Sequence, residues 1–208
     1  MWSTMENKIY TVAWNIGNLG HLIKAIIGVQ KYNAQLSHQG TDSHYPESGL
    51  HGFIDIVHPF DESKIDQSKE NIRPFFSNPS LRFFPLYMNY IKMDIKTNVK
   101  DFANIYYNYK EVLSANCFNI DVTNFFLDTD KFIKDMEKFL QEKLTDETTA
   151  FIRAKKQLNW SLYEDFKAIT RLDASELGDA SDLVKGLYIC IHAQDDYARV
   201  RKLLKKYA

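Results

Sequence analysis

The stretch from Ile9 to Val29 most narrows what this chain can fold into. Ile9-Tyr10-Thr11-Val12-Ala13-Trp14 is a β-branched and aromatic run, nearly all apolar. Such a run fits a strand covered on both faces, the condition of a central strand. The loop Asn15-Ile16-Gly17-Asn18-Leu19-Gly20 follows, and from His21 to Val29 the residues Leu22, Ile23, Ile26 and Ile27 fall on one helical stripe. Strand, glycine-containing loop and helix therefore come in immediate succession.

The rest of the chain extends the pattern. Phe53 to Val57 reads as a second strand ending at His58-Pro59, and Leu81 to Met88 as a third, with Pro85 marking an edge or a bulge. Between them Glu62 to Ile72 is polar and reads as helical. Tyr32 to Gly52 reads as a long loop. Val99, Phe102, Ile105, Tyr106, Tyr109 and Val112 recur at three- and four-residue steps and predict an amphipathic helix over Asn98 to Leu113. Phe118 to Val122 is a short strand, followed by a helix from Lys131 to Leu144 with an aspartate N-cap in Asp128-Thr129-Asp130. Thr145 restarts a helix through Leu158 and Tyr163, and Ala180 to Tyr207 reads as two helices about Gln194-Asp195-Asp196. Alternating strands and helices predict one α/β domain over residues 1–208, a mostly parallel sheet flanked by helices, with a helical C-terminal part from about residue 145.

Length fits that reading, since 208 residues suit a single core. A net charge of −1 gives no global reason to expect nucleic acid or an anionic membrane as a partner. The Lys- and Arg-rich last turns suit the negative end of a helix dipole and a solvated face. Cys117 and Cys190 lack metal-ligand spacing and read as buried thiols. No apolar leader opens the chain and no run approaches the ~18 apolar residues of a membrane span, so the expectation is a cytoplasmic protein without a membrane partner. Twenty lysines against six arginines, with abundant Asn, Ile, Tyr and Phe, is the usage of AT-rich coding sequence, as in a virus or a low-GC bacterium.

Chemistry is most legible in the first loop. A buried strand feeding a helix presents backbone N–H groups and the positive helix end to an anion. Gly17 and Gly20 would let a phosphate approach Asn18, Leu19 and His21 closely, and Gly20→Val is expected to abolish anion binding while leaving most of the fold intact. The same residues also fit a tight strand-to-helix turn with no ligand. A Walker loop is excluded, because no Gly-Lys-Ser/Thr follows.

Ile9 to Ile27, followed much later by Asn124-Phe125-Phe126-Leu127-Asp128-Thr129-Asp130-Lys131-Phe132-Ile133 and Glu137 to Leu140, resembles the layout of the P-loop sulfotransferases, in particular small phage- or marine-microbe-type members. The segment Leu144 to Glu147 and on to Tyr163 continues the likeness. The resemblance implies a donor, 3′-phosphoadenosine-5′-phosphosulfate, held at Gly17, Asn18, Leu19, Gly20 and His21, with Arg73 and Ser77 or Ser80 toward its 3′-phosphate. It implies transfer of a sulfuryl group to a hydroxyl acceptor. Where the family carries a loop lysine this chain has Asn18, so His21 or Lys24 would supply the positive charge.

Histidines 38, 44, 51 and 58 cluster in sequence without the spacing of a compact metal-ligand pair, and no metal is expected. His58, just past a predicted parallel strand, stands where open α/β sheets place ligands, with Asp61 near it, and is the candidate general base. Asn18-Leu19-Gly20-His21-Leu22 is also similar to the second half of the HxGH element of nucleotidylyltransferases. A third expectation is a non-catalytic viral or structural binding protein, which would form a homo-oligomer.

Overall fold

The computed structural model describes residues 9–15, 19–34, 54–78, 80–92, 94, 96, 113–193, 199 and 202. The fold is α/β: a four-stranded, all-parallel sheet with seven α-helices among the described residues, and a mostly helical C-terminal part. The strands are β1 (Tyr10–Ala13), β2 (Ile54–Val57), β3 (Glu70–Phe75) and β4 (Phe118–Asp121), in the order β2-β1-β3-β4. The helices are α1 (Gly20–Tyr32), α2 (Phe84–Lys92), α3 (Thr123–Leu127), α4 (Thr129–Leu140), α5 (Asp146–Leu158), α6 (Trp160–Thr170) and α7 (Asp182–Ala193). No described helix is long and apolar enough to cross a membrane.

β1 is the interior strand its composition predicts, paired on both sides. Because side chains alternate along a strand, its residues divide between two cores. Tyr10 and Val12 enter the larger one with Ile54, Ile72 and Ile120, beneath Ile23, Ile26 and Ile27 of α1. Thr11 and Ala13 turn to the other face, where Ala13 packs with Val57 and Ile65 beside Phe60 and Cys117. The larger core continues into an aromatic cluster: Phe126 stacks on Tyr163 at 5.3 Å, and Phe84 meets Phe126, Tyr163 and Phe166.

Two expectations are corrected. Leu81 to Met88 is not a strand but a 3-10 turn (Leu81–Phe83) running into α2. A short run that is apolar all round does not distinguish a buried strand from a buried helix, and here Leu81, Phe83, Phe84, Leu86, Tyr87 and Met88 are all buried. Pro85 sits in the first turn of α2, where its missing N–H would have had no intrahelical partner. Glu62 to Ile72 is not a helix either; only Glu62–Lys64 makes a 3-10 turn, and Glu70–Phe75 is the strand β3. Its Glu, Arg and Pro hid it. Pairing of β3 with β1 ends at Ile72, so Pro74 lies where only β4 is bonded alongside and the ladder to β1 loses no donor.

Local capping agrees with the sequence. The Asp128 carboxylate accepts the N–H of Lys131 at 3.0 Å to start α4, and Thr145 Oγ1 accepts the N–H of Thr148 at 3.1 Å to start α5. The Thr145 amide donates to Gln30 Oε1 at 3.0 Å, which ties the start of α5 to α1. The helix expected over Asn98 to Leu113 lies, apart from Leu113, outside the described residues, as do Gln35 to Gly52 of the long loop and Phe53 of the second expected strand.

Candidate functional site at the carboxyl edge of the sheet

From β1 the chain crosses to β2 on one side, while β3 and β4 lie on the other. In open parallel sheets the carboxyl ends of the strands at such a reversal of order are where a crevice forms. On one flank are Trp14, Asn15 and the start of α1; on the other, Ser77, Asn78 and the end of β4.

Trp14 organises the first flank. Its amide donates to the Val57 carbonyl at 3.0 Å, extending the β1–β2 ladder one residue, and its side chain is 3% exposed. The His58 ring stacks on the indole at 5.1 Å with 19° between planes, and the His21 ring meets it edge-on at 5.1 Å and 68°. Nδ1 of His58 lies 3.0 Å from the Trp14 carbonyl oxygen. A carbonyl oxygen only accepts, so Nδ1 carries the proton and Nε2 of the neutral ring holds the lone pair. His58 itself is exposed. The two candidate catalytic histidines, far apart in sequence, converge on one indole.

Leu19, at the N-cap of α1, adopts a left-handed conformation (φ 56°), and no side chain caps the helix. Its carbonyl accepts the amides of Leu22 and Ile23 at 3.0 and 3.2 Å. Gly20 is needed for packing: a β-carbon there would lie 2.0 Å from Cδ2 of Trp14. The expectation that Gly20→Val leaves most of the fold intact is therefore corrected. Lys24, one turn into α1, is buried. Gly17 and Asn18 lie outside the described residues.

On the second flank, the Asp121 carboxylate accepts the amides of Ser77 and Thr123 at 3.1 and 3.0 Å. Thr123 Oγ1 accepts the Ser77 hydroxyl at 3.3 Å and the Asn78 amide at 3.2 Å. Ser77 thus clamps the loop after β3 to the end of β4, and the Ser80 amide donates to Asn78 Oδ1 within the same loop. Arg73 is 0% exposed, with its guanidinium 3.5 Å from the centre of the Phe60 ring on the sheet face opposite α1. The structure does not bring Arg73 to the crevice edge with Ser77.

Asp61 does not orient His58. Its carboxylate accepts the amide and hydroxyl of Ser63 at 3.1 and 2.7 Å, and these bonds hold it below the usual carboxylate range. His38, His44 and His51 lie outside the described residues, among which no group of three or more potential metal ligands occurs. Sequence reasoning missed Trp14; the signal was an indole just beyond the last residue of a central strand, six positions before Gly20. Comparison of the chain with protein-family models, with curated proteins and with solved structures yields no match.

Proposed function

We propose that this chain binds a phosphonucleotide at the carboxyl edge of its sheet, in the manner of a sulfotransferase-like transferase. The start of α1 would hold the anionic end of a donor such as 3′-phosphoadenosine-5′-phosphosulfate, and His58 would serve a hydroxyl acceptor. The observation that carries this reading is the convergence of His21 and His58 on Trp14 beside an N-terminus of α1 that no side chain caps. Helix N-termini favour anions through their backbone donors and dipole.

In the proposed step the acceptor oxygen bonds to sulfur as the bond from sulfur to the bridging phosphate oxygen breaks. The acceptor proton passes to Nε2 of His58, and the electron pair of the broken bond leaves on the phosphate. His21, beside the same indole, would offset negative charge on the transferring group. The passage of β4 through the short α3, Thr123–Leu127, into the Phe- and Leu-bearing α4 supports the layout implied by the sulfotransferase resemblance.

Isothermal titration with 3′-phosphoadenosine 5′-phosphate tests the donor site. Binding in the micromolar to low millimolar range, weakened in His21→Ala, is the expected result. Absence of binding at millimolar ligand removes the reading. A second reading, a binding protein without catalysis, is favoured by the burial of Lys24, which leaves the loop without an exposed lysine at its described positions. It predicts nucleotide binding that His58→Ala leaves intact, with no sulfuryl transfer by either protein.

A further inference from the structure

On the face of the sheet opposite α1, a cleft of about 420 Å³ runs along β2, bordered by Thr11, Asp55, His58, Lys64, Asp66 and Lys69. Its size falls within the roughly 300–1,000 Å³ of small-molecule sites. Its charges are arranged in an uncommon way for an ion-binding site. Lys69 bonds the Asp55 carboxylate and lies 3.7 Å from Asp66, and Lys64 lies 3.4 Å from Asp61. Hydrogen bonds from Ser68 hold the Asp66 carboxylate below its usual range, and Asp55 holds the Lys69 ammonium above its own, so both stay charged around neutrality. Both lining lysines thus already hold carboxylate partners, Asp55 and Asp66 for Lys69 and the neighbouring Asp61 for Lys64. An added phosphate or ammonium would compete with ion pairs that already exist, whereas hydroxyl groups could bond carboxylate lone pairs and ammonium hydrogens without adding charge.

A second observation lies in the wall of the cleft. Thr11 is 2% exposed, and its hydroxyl oxygen has no hydrogen-bond partner among the described residues. A buried hydroxyl without a partner is costly to keep in a central strand, where valine would fit equally well. From the already paired charges, the size and the unpartnered Thr11 hydroxyl, we infer that this cleft binds a small, electrically neutral, hydroxyl-rich molecule of the sugar or cyclitol class. The site stands apart from the phosphonucleotide reading, since it lies on the other face of the sheet and needs no donor. It shares only His58, whose ring also rests on Trp14, which places that indole to report occupancy.

The full chain carrying Trp2→Phe and Trp160→Phe keeps Trp14 as its one tryptophan and serves as the reporter. It is titrated, without nucleotide, with methyl α-D-glucopyranoside, methyl α-D-galactopyranoside, myo-inositol and inorganic phosphate, following Trp14 emission and saturation-transfer NMR. At least one polyol is expected to bind at millimolar concentration and phosphate is not. Thr11→Val should weaken that binding about 3- to 10-fold, the loss of one hydrogen bond, while the melting temperature holds or rises because an unpartnered buried hydroxyl has gone. Lys64→Met, on the exposed rim, should weaken binding without affecting the fold. The inference is overturned if no polyol of the set binds, if phosphate binds in their place, or if Thr11→Val binds as the parent does. Nucleotide titration fails or succeeds independently of these outcomes.

Discussion

Gly20→Ala should destabilise this protein although alanine is the better helix former. The added β-carbon would lie 2.0 Å from Cδ2 of Trp14 and 2.4 Å from its Cγ and Cε3. Carbon atoms rest at about 3.5–4.0 Å, so the overlap exceeds an ångström and involves a rigid ring that cannot yield by a rotamer adjustment at its tip. The ring is also held in place, stacked on His58, met by His21 and 3% exposed. Complete expulsion of an indole burying about 150–250 Å² at about 25 cal/mol per Å² costs on the order of 4–6 kcal/mol, an upper bound. A partial shift of α1 falls nearer the 1–3 kcal/mol typical of overpacking. Alanine returns at most about 1 kcal/mol of helix propensity, so the overlap wins. We expect a net loss of about 2–4 kcal/mol in urea unfolding followed by circular dichroism, with the slope unchanged. In a Trp14→Leu background the ring is gone, and Gly20→Ala should cost little or stabilise by up to about 1 kcal/mol. Equal losses in both backgrounds, or a parent-background loss under about 0.5 kcal/mol, would refute the packing argument. Lost ligand binding in a Gly20 variant consequently reports displacement of Trp14 as readily as a blocked anion site.

Three further outcomes follow from burial and charge. Val12, 0% exposed and paired on both sides, should not tolerate a carboxylate; Val12→Asp is expected to cost on the order of 3 kcal/mol or more, and a variant melting like the parent would contradict the interior placement of β1. Burial, with the nearby Arg199 charge adding to it, holds the His192 imidazole below its ordinary value, so folding favours the neutral ring. The unfolded ring binds its proton near pH 6.5; the stability this gives is therefore complete above that pH and is lost as pH falls below it. The melting-temperature difference between parent and His192→Gln should change between pH 8 and pH 5, and a constant difference would count against it. Burial pushes the Cys190 thiol up to about 12 and raises Cys117 as well. Cys190 should not react with a disulfide reagent at pH 7.5 until denaturant is added, whereas Cys117 is only half-buried, not the buried thiol expected, and should label first; fast labelling of both in the native protein would contradict that assignment.

The sequence by itself determined the features whose causes are local. An apolar β-branched run, a glycine loop and a helical stripe specify β1 and α1 because each element's periodicity lies within its own residues. The same holds for β4, for the Asp128 cap and for the helical C-terminal part. Tertiary structure decided the rest. Leu81 to Met88 is helical because Phe84 and Tyr87 fit among Phe126, Tyr163 and Phe166, partners distant in sequence. Glu70 to Phe75 is a strand because β1 and β4 supply its hydrogen bonds and Phe60 covers Arg73. His21 and His58 were legible one at a time, as residues beyond strand ends. Their meeting was not, because it depends on parallel pairing of β1 with β2, which sets His58 beside Trp14 across 44 positions of sequence. Periodicity records which way a side chain faces; only the pairing of strands records what it faces.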